Sequence, residues 1–503
     1  MLTDSLRGHN SGSFFNALLE PESGRFRPGY WLYLWGTFLL GGVNPLYHHI
    51  FQLVIFILCA YLVYYITKNL FENTLAGIVA SIFFAIDWRG LENWYRLGTQ
   101  EPSQLFFLLM YLFFYLKSRE KSRLINLFIA FVFLVSAVLI KETTIAIIGV
   151  ALFIIIYDFI VREEKKLLRW DIVNFVFVLL VNFLIRFIAL KFYIAGGYAS
   201  LYKVDSSIFR NLLSYLDMIS VGYAPVLIIV VISFLTRFSL NVVWNGFRVA
   251  IKKYKWQFFW LSWFLSFLVV QIPWGITMGR YLLIAMIGLY VFISSEVVFL
   301  IRVFKGLFFY AKSDVKKNDL KLAAFTFGSI PVLFLVVVWF YQIFMSWSYI
   351  LWVVPVSKFN VRFIESINSR VSDGSTVILN ADGNSNPPIE LFYEIGWHLK
   401  YLFNNSTSRV VYASEEYSPA KGDLVVSHTG TPLYTESQVL DLYRAKLQDS
   451  ETIDFSSFVI ASPLKFIKNL PAIFLNPDLN FLKVEELLIT SRYSYSWKIY
   501  SVQ

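Results

Sequence analysis

The sequence predicts an α-helical polytopic membrane protein of about ten transmembrane helices with a small C-terminal soluble α/β domain. Composition is the first observation behind this. Of 503 residues, 57% are hydrophobic, 19% aromatic and only 16% charged, and the mean hydropathy is +0.59. A soluble chain of this length is far less apolar. Fifty Phe and thirty Tyr suit helices that meet lipid tails and headgroups. The second observation is a series of long apolar runs separated by short polar loops. The third is a change of pattern near Ser357, where turn residues and alternating strands replace the runs.

In chain order, residues 1–45 read as an outer loop with interfacial helices. Tyr30–Leu40 is aromatic but too short to cross a bilayer, and fits a helix lying in the interface. Residues 46–350 hold the spans, approximately Leu46–Thr67, Thr74–Ile86, Gln104–Leu116, Leu124–Ile140, Thr143–Val161, Ile172–Ile194, Val221–Phe238, Phe258–Trp274, Tyr281–Val303 and Leu322–Trp347. Residues 351–503 form the soluble domain. Strands are expected at Ser375–Asn380, Arg409–Ala413, Asp423–Ser427 and Ser457–Ala461. Helices are expected at Ile389–Phe403 and Glu436–Lys446, with Leu482–Thr490 and Tyr493–Val502 as a closing strand pair.

Lys and Arg set the orientation. One set of loops holds Lys117, Arg119, Lys121, Arg123, Arg162, Lys165, Lys166, Arg169, Arg248, Lys252, Lys253 and Lys255, and continues from Lys305 to Lys321. The opposite set is much poorer, so the richer one is expected to be cytoplasmic. The N-terminal segment, residues 88–103, the Lys141-Glu142 turn, residues 195–220, Gly275–Arg280 and the C-terminal domain then share the outer side. The net charge of +10 is read as these cytoplasmic loops, with no nucleic-acid partner implied. The single Cys59 excludes an intrachain disulfide, and five scattered His give no metal-ligand spacing.

The expected outer segments carry unusual side chains for connecting loops. Lys141-Glu142 divides two apolar runs, where each charge would cost about 2.5–3.5 kcal/mol at mid-bilayer. The pair therefore reads as a tight turn at a membrane face, either facing a wet cavity or simply solvated. Residues 87–102 (DWRGLENWYRLGTQEP) offer Glu92, Glu101, Arg89 and Arg96 beside two Trp. They read as a polar groove wall, with Arg96 as a phosphate-binding fork, or as an aromatic anchor with solvated charges. Arg280 and Tyr281 open a span directly after Pro273-Trp274-Gly275, at a depth suited to a lipid phosphate or to snorkelling.

The order of these segments resembles the GT-C superfamily of polyprenyl-phosphate-sugar-dependent membrane glycosyltransferases, of the protein mannosyltransferase and lipid A aminoarabinose transferase kind. GRFRPGYWLYLWGTFLLGGVNPLYHHIFQL (Gly24–Leu53) is similar to the family's first outer loop, with Arg27-Pro28, Asn44-Pro45 and His49, and with Gln52 where Asn is commoner. DWRGLENWYRLGTQEP, LIKETTIAIIGVALFIIIYD (Leu139–Asp158) and GRYLLIAM (Gly279–Met286) are similar to later elements. The likeness covers about the first 350 residues. It implies transfer of a monosaccharide from a polyprenyl-phosphate donor to an acceptor hydroxyl (glycan, lipid or protein) on the extracytoplasmic face, inverting, in a bacterial inner membrane. It also implies a first spanning helix delivering an acidic motif; Met1 falls where that helix would end, and the catalytic base is carried to Asp4. Arg96, Lys141 and Arg280 become the donor-phosphate ligands. Arg27, His49, Glu92, Glu101, Glu142 and Tyr281 become the polar cavity wall. No cofactor is expected, a divalent metal being left open. A transporter or flippase of lipid-linked substrate and a non-catalytic membrane scaffold stand as alternatives.

Overall fold

The computed structural model describes residues 27–42, 44–97, 99–121, 123–161, 165–191, 205, 207–274, 277–313, 333, 335–348, 350, 361–372, 374–380, 395, 399, 408–413, 420–428, 438, 447–460 and 489–502. The chain divides into two units, Met1–Ser346 and Trp347–Gln503. Asp4 and the expected helices Ile389–Phe403 and Glu436–Lys446 lie outside the described residues, save isolated positions in the two helices.

The first unit is helical. α1 (Pro28–Gly41) starts on a proline, whose missing N–H is harmless in a first turn. It is about 21 Å long, short of a ~30 Å hydrocarbon core. Its Tyr30 and Leu34 pack against Ile140. α2 (Pro45–Phe71) is capped by Asn44, whose side chain accepts from the Leu46 amide at 3.0 Å. α3 (Thr74–Ile86) is capped in the same way by Asn73. The two helices lie close at Gly77, where an added Cβ would come within 2.6 Å of the Tyr64 carbonyl oxygen.

Two expected loops prove to be helical. After α3 the chain bends by 65° into α4 (Trp88–Tyr95). Asp87 explains the break: it is extended, and its carboxylate caps the Arg89 amide. Residues 207–220 belong to α9 (Ser207–Asn245), which greatly exceeds the expected Val221–Phe238. Tyr215, Ile219, Tyr223, Val226, Val230 and Phe234 form one buried stripe at three- and four-residue spacing, so the helix continues as far as its packing partner does. Gly246, at φ +83°, stops it.

The other helices follow their apolar runs with shifted ends. They are α5 (Glu101–Lys121), α6 (Leu124–Ile140), α7 (Ile147–Val161) after a 3₁₀ turn at Glu142–Ala146, α8 (Lys165–Lys191), α10 (Phe247–Lys253), α11 (Lys255–Gln271), α12 (Leu283–Ser313) after a 3₁₀ turn at Gly279–Leu282, and α13 (Leu335–Ser348). α12 is central, with nearly every residue from Leu282 to Val298 buried. α8 lies at the periphery and exposes Val173, Val176, Leu180, Phe183, Leu184 and Phe187, a surface suited to lipid. Against the ten expected spans, five helical segments among the described residues are long and apolar enough to cross a membrane, or six with the bent α3–α4 pair. α6 and α13 are apolar but shorter. The helical unit is that of a multi-pass integral membrane protein.

The second unit holds a mixed five-stranded sheet, in the order β2-β1-β3-β5-β4. The strands are β1 (Thr376–Asn380), β2 (Arg409–Tyr412), β3 (Leu424–His428), β4 (Leu447–Ile460) and β5 (Ile489–Val502). β1 pairs in parallel with both β2 and β3 and is buried throughout, as a central parallel strand requires. A helix at residues 361–370 (α14) packs Phe363 and Ile367 into this core. Two expectations change. The strand at Ser457–Ala461 is the end of a much longer β4. Of the closing pair, Tyr493–Val502 lies within β5, whose antiparallel partners are β3 and β4, and residues 482–488 lie outside the described residues. Local alternation marked both strands but not their mates.

Candidate active site

α5 carries charged groups near both ends, Glu101 and Arg119, about 27 Å apart along its axis. The expected outer-face residues gather at the Glu101 end, on the starts of α1, α5 and α12, on α4 and at the α6–α7 turn. Arg119 joins Asp158 and Asp171 at the other end, where Arg248 also donates to the Val161 carbonyl. Arg119 and Arg248, from the basic set of loops, thus lie at the end of α5 away from Glu101.

Three ion-pair groups make up the Glu101 end. Arg27 meets Glu142 through two bonds, Nε to Oε2 at 2.9 Å and Nη2 to Oε1 at 2.5 Å, the forked geometry of a strong guanidinium–carboxylate pair. Lys141 is buried and donates to Glu101, and its ammonium lies 4.9 Å from the Tyr281 ring centre. Arg280 Nη1 donates to Glu92 Oε1 at 2.8 Å. The same oxygen takes a second, longer bond from Arg96 Nη1 at 3.3 Å. Arg280 also lies 5.2 Å from the Tyr281 ring centre and donates to its hydroxyl at 3.4 Å.

Backbone geometry explains the convergence. Lys141 is extended (φ −151°, ψ 137°) and closes α6, so it and Glu142 diverge to different partners. Glu101 opens α5, where a carboxylate suits the helix dipole. Burial pushes its carboxyl pKa up, but Lys141 and the more distant Arg280 outweigh this and hold it below the usual value. Its contribution to stability is therefore complete above the unfolded carboxylate range and is lost on acidification through the lower folded value.

Polar residues outside the expected site set brace these groups. Asn93, fully buried, donates to the Arg280 carbonyl at 2.9 Å. Gln52 donates to the Asn93 carbonyl and, at 3.2 Å, to that of Arg96. Gln104 donates to Thr143 at 3.1 Å and to Thr144 at 2.7 Å, tying α5 to the turn after Lys141. An amide inside an apolar run was the available signal for Gln52 and Gln104. Arg89 differs from the groove-wall expectation. It is wholly buried, bonded to Asp87 at 2.9 Å and to the Met218 carbonyl at 2.9 Å, so it fastens α4 to α9.

His49 is exposed on α2. The local hydrogen bond there is made by its neighbour, His48, to the Gly42 carbonyl at 2.9 Å. Among the described residues no three His, Cys, Asp or Glu side chains gather as metal ligands. The cluster brings together Arg27, Glu92, Arg96, Glu101, Lys141, Glu142, Arg280 and Tyr281. Its four cations face three carboxylates, and the excess positive charge sits where two arginines share Glu92. Chemically this is a place for an anion beside apolar helices.

No protein-family model matches the chain, and no curated protein matches it. Among solved structures it is similar to ArnT from Cupriavidus metallidurans bound to undecaprenyl phosphate, at 11% identity and a TM-score of 0.48, covering 90% of each chain. The apo state of that protein gives 11% identity and a TM-score of 0.48, covering 99% of this chain and 92% of the other. Similarity this loose carries no inference about activity.

Proposed function

We propose that the protein is a membrane glycosyltransferase that moves a monosaccharide from a polyprenyl-phosphate donor to an acceptor hydroxyl on the extracytoplasmic face. The observation that carries the reading is the pair of arginines, Arg96 and Arg280, sharing one carboxylate oxygen at one end of an apolar helical unit. Lys141 and Tyr281 lie beside Arg280. The likeness of the sequence motifs to GT-C enzymes supports the same assignment. The donor's isoprenoid tail would lie against the apolar helices and its phosphate against the arginines.

In the reaction the acceptor oxygen bonds to the anomeric carbon as the bond from that carbon to the phosphate oxygen breaks. The bonding pair leaves on the phosphate, and the acceptor's proton passes to a carboxylate, assigned to Asp4. Single displacement inverts the anomeric centre. Arg280, Lys141 and Arg96 stabilise the charge growing on the leaving phosphate. The active chain would sit in a bacterial inner membrane.

The test is transfer of labelled sugar from a polyprenyl-phosphate donor by the full chain in membranes. Transfer with release of polyprenyl phosphate is expected, and Asp4→Asn should abolish it. Persistent transfer in that variant moves the base to another acid. If no polyprenyl-phosphate sugar is consumed while lipid-linked substrate crosses vesicles, the protein is a transporter.

A further inference from the structure

Building on the proposed function, the charge arithmetic at Glu92 points to a role for this residue in substrate discrimination. Two of the three ion-pair groups, Arg27 with Glu142 and Lys141 with Glu101, are neutral as pairs. The third joins two guanidiniums to one carboxylate and is positive by one charge among the described residues. A polyprenyl-phosphate sugar is a phosphodiester and carries one negative charge. The product left after sugar transfer is a phosphate monoester, whose second ionisation near pH 6 gives it nearly two charges at neutral pH. We infer that Glu92 sets the arginine pair to match the monoanionic diester donor and to bind the dianionic monoester product less well than an uncompensated pair would, which speeds product release.

The geometry fits this task. Glu92 is about one-fifth exposed and Arg96 nearly half exposed, whereas Arg280 is mostly buried. The longer contact to Arg96 is the weaker of the two, so a ligand can enter on that side while Arg280 keeps its partner. The backbones of both arginines are held independently, by Gln52 at the Arg96 carbonyl and by Asn93 at the Arg280 carbonyl. Glu92→Gln keeps a carbonyl oxygen that can accept from the guanidiniums and leaves these backbone bonds intact, so it changes chiefly the charge of the site. A residue with only a structural role would affect monoester and diester alike; a charge-matching one separates them.

Decyl phosphate (a monoester) and didecyl phosphate (a diester) serve as probes, with binding to the purified full chain in detergent measured at pH 8 and pH 5. At pH 8, Glu92→Gln should tighten the monoester about tenfold and the diester by less than about threefold. At pH 5, where the monoester carries one charge, the difference should shrink. Arg96→Gln removes one positive charge at an exposed position and should weaken the monoester more than the diester. This second variant keeps the test decisive if Glu92→Gln folds poorly. Equal changes for both esters, no change, or no binding of either ester by any of these proteins would overturn the inference. In an active enzyme the same change appears as a lower inhibition constant for polyprenyl phosphate with little change in donor KM. Ester discrimination without sugar transfer would leave the charge-matching role standing and remove the glycosyltransferase reading. Transfer with no discrimination would do the reverse.

Discussion

At one end of α5 a carboxylate lies between two arginines; at the other an arginine lies between two carboxylates. Glu92 joins Arg96 and Arg280, and Arg119 joins Asp158 and Asp171. The two clusters use the same chemistry with opposite excess charge, and they differ in access. Asp158 and Asp171 are essentially unexposed, Arg119 is 10% exposed, and Tyr115 adds its hydroxyl to Asp171. Those groups join α5, α7 and α8, and Arg119 and Tyr115 also line a small hollow beside α11. Arg96 is 44% exposed, with a long contact that a ligand can replace. The two clusters therefore differ in solvent access: the Arg119 pairs fasten enclosed helices, and the Glu92 pairs leave one arginine reaching solvent, as the proposed phosphate site requires.

The strongest way to break this comparison is Arg119→Ala. It leaves two buried carboxylates without their cation and should cost about 3–5 kcal/mol of stability. Equilibrium unfolding in detergent reads it, and sugar transfer should fall only with the folded fraction. Arg280→Ala should behave oppositely, with transfer down about 10²–10³-fold and a melting temperature near that of the parent. Wild-type turnover in that variant would remove Arg280 from the site.

Lys141 tests the boundary between the two behaviours, because it is both buried and in the site. Lys141→Met leaves Glu101 enclosed without its partner and should lose both stability and transfer. Adding Glu101→Gln should restore most of the stability, since removing a whole buried pair is often close to neutral. Transfer should stay low in the double variant, and a parallel recovery of both properties would make the pair structural only. Arg96→Ala should show the smallest effect, about 0–1 kcal/mol in stability, with a raised donor KM. That KM rise should be larger in low-salt buffer than in high salt.

By itself the sequence determined that the chain is a polytopic helical membrane protein followed by a small α/β unit, because apolar period and span length are local quantities. It also marked Lys141-Glu142, Arg96 and Arg280 as costly residues to place beside a membrane. The partners were another matter. Neighbours in sequence need not pair: the extended Lys141 backbone sends Lys141 to Glu101 and Glu142 to Arg27. Glu92 serves Arg280, far along the chain, as well as its helical neighbour Arg96. Nothing local distinguishes Arg89, a buried fastener, from Arg96, a half-exposed one, seven residues later on the same short stretch. The bend at Asp87, the length of α9 and the mates of β5 were likewise decided by tertiary packing. Each depends on which surface a segment meets, and that is set only when distant parts of the chain exclude solvent together.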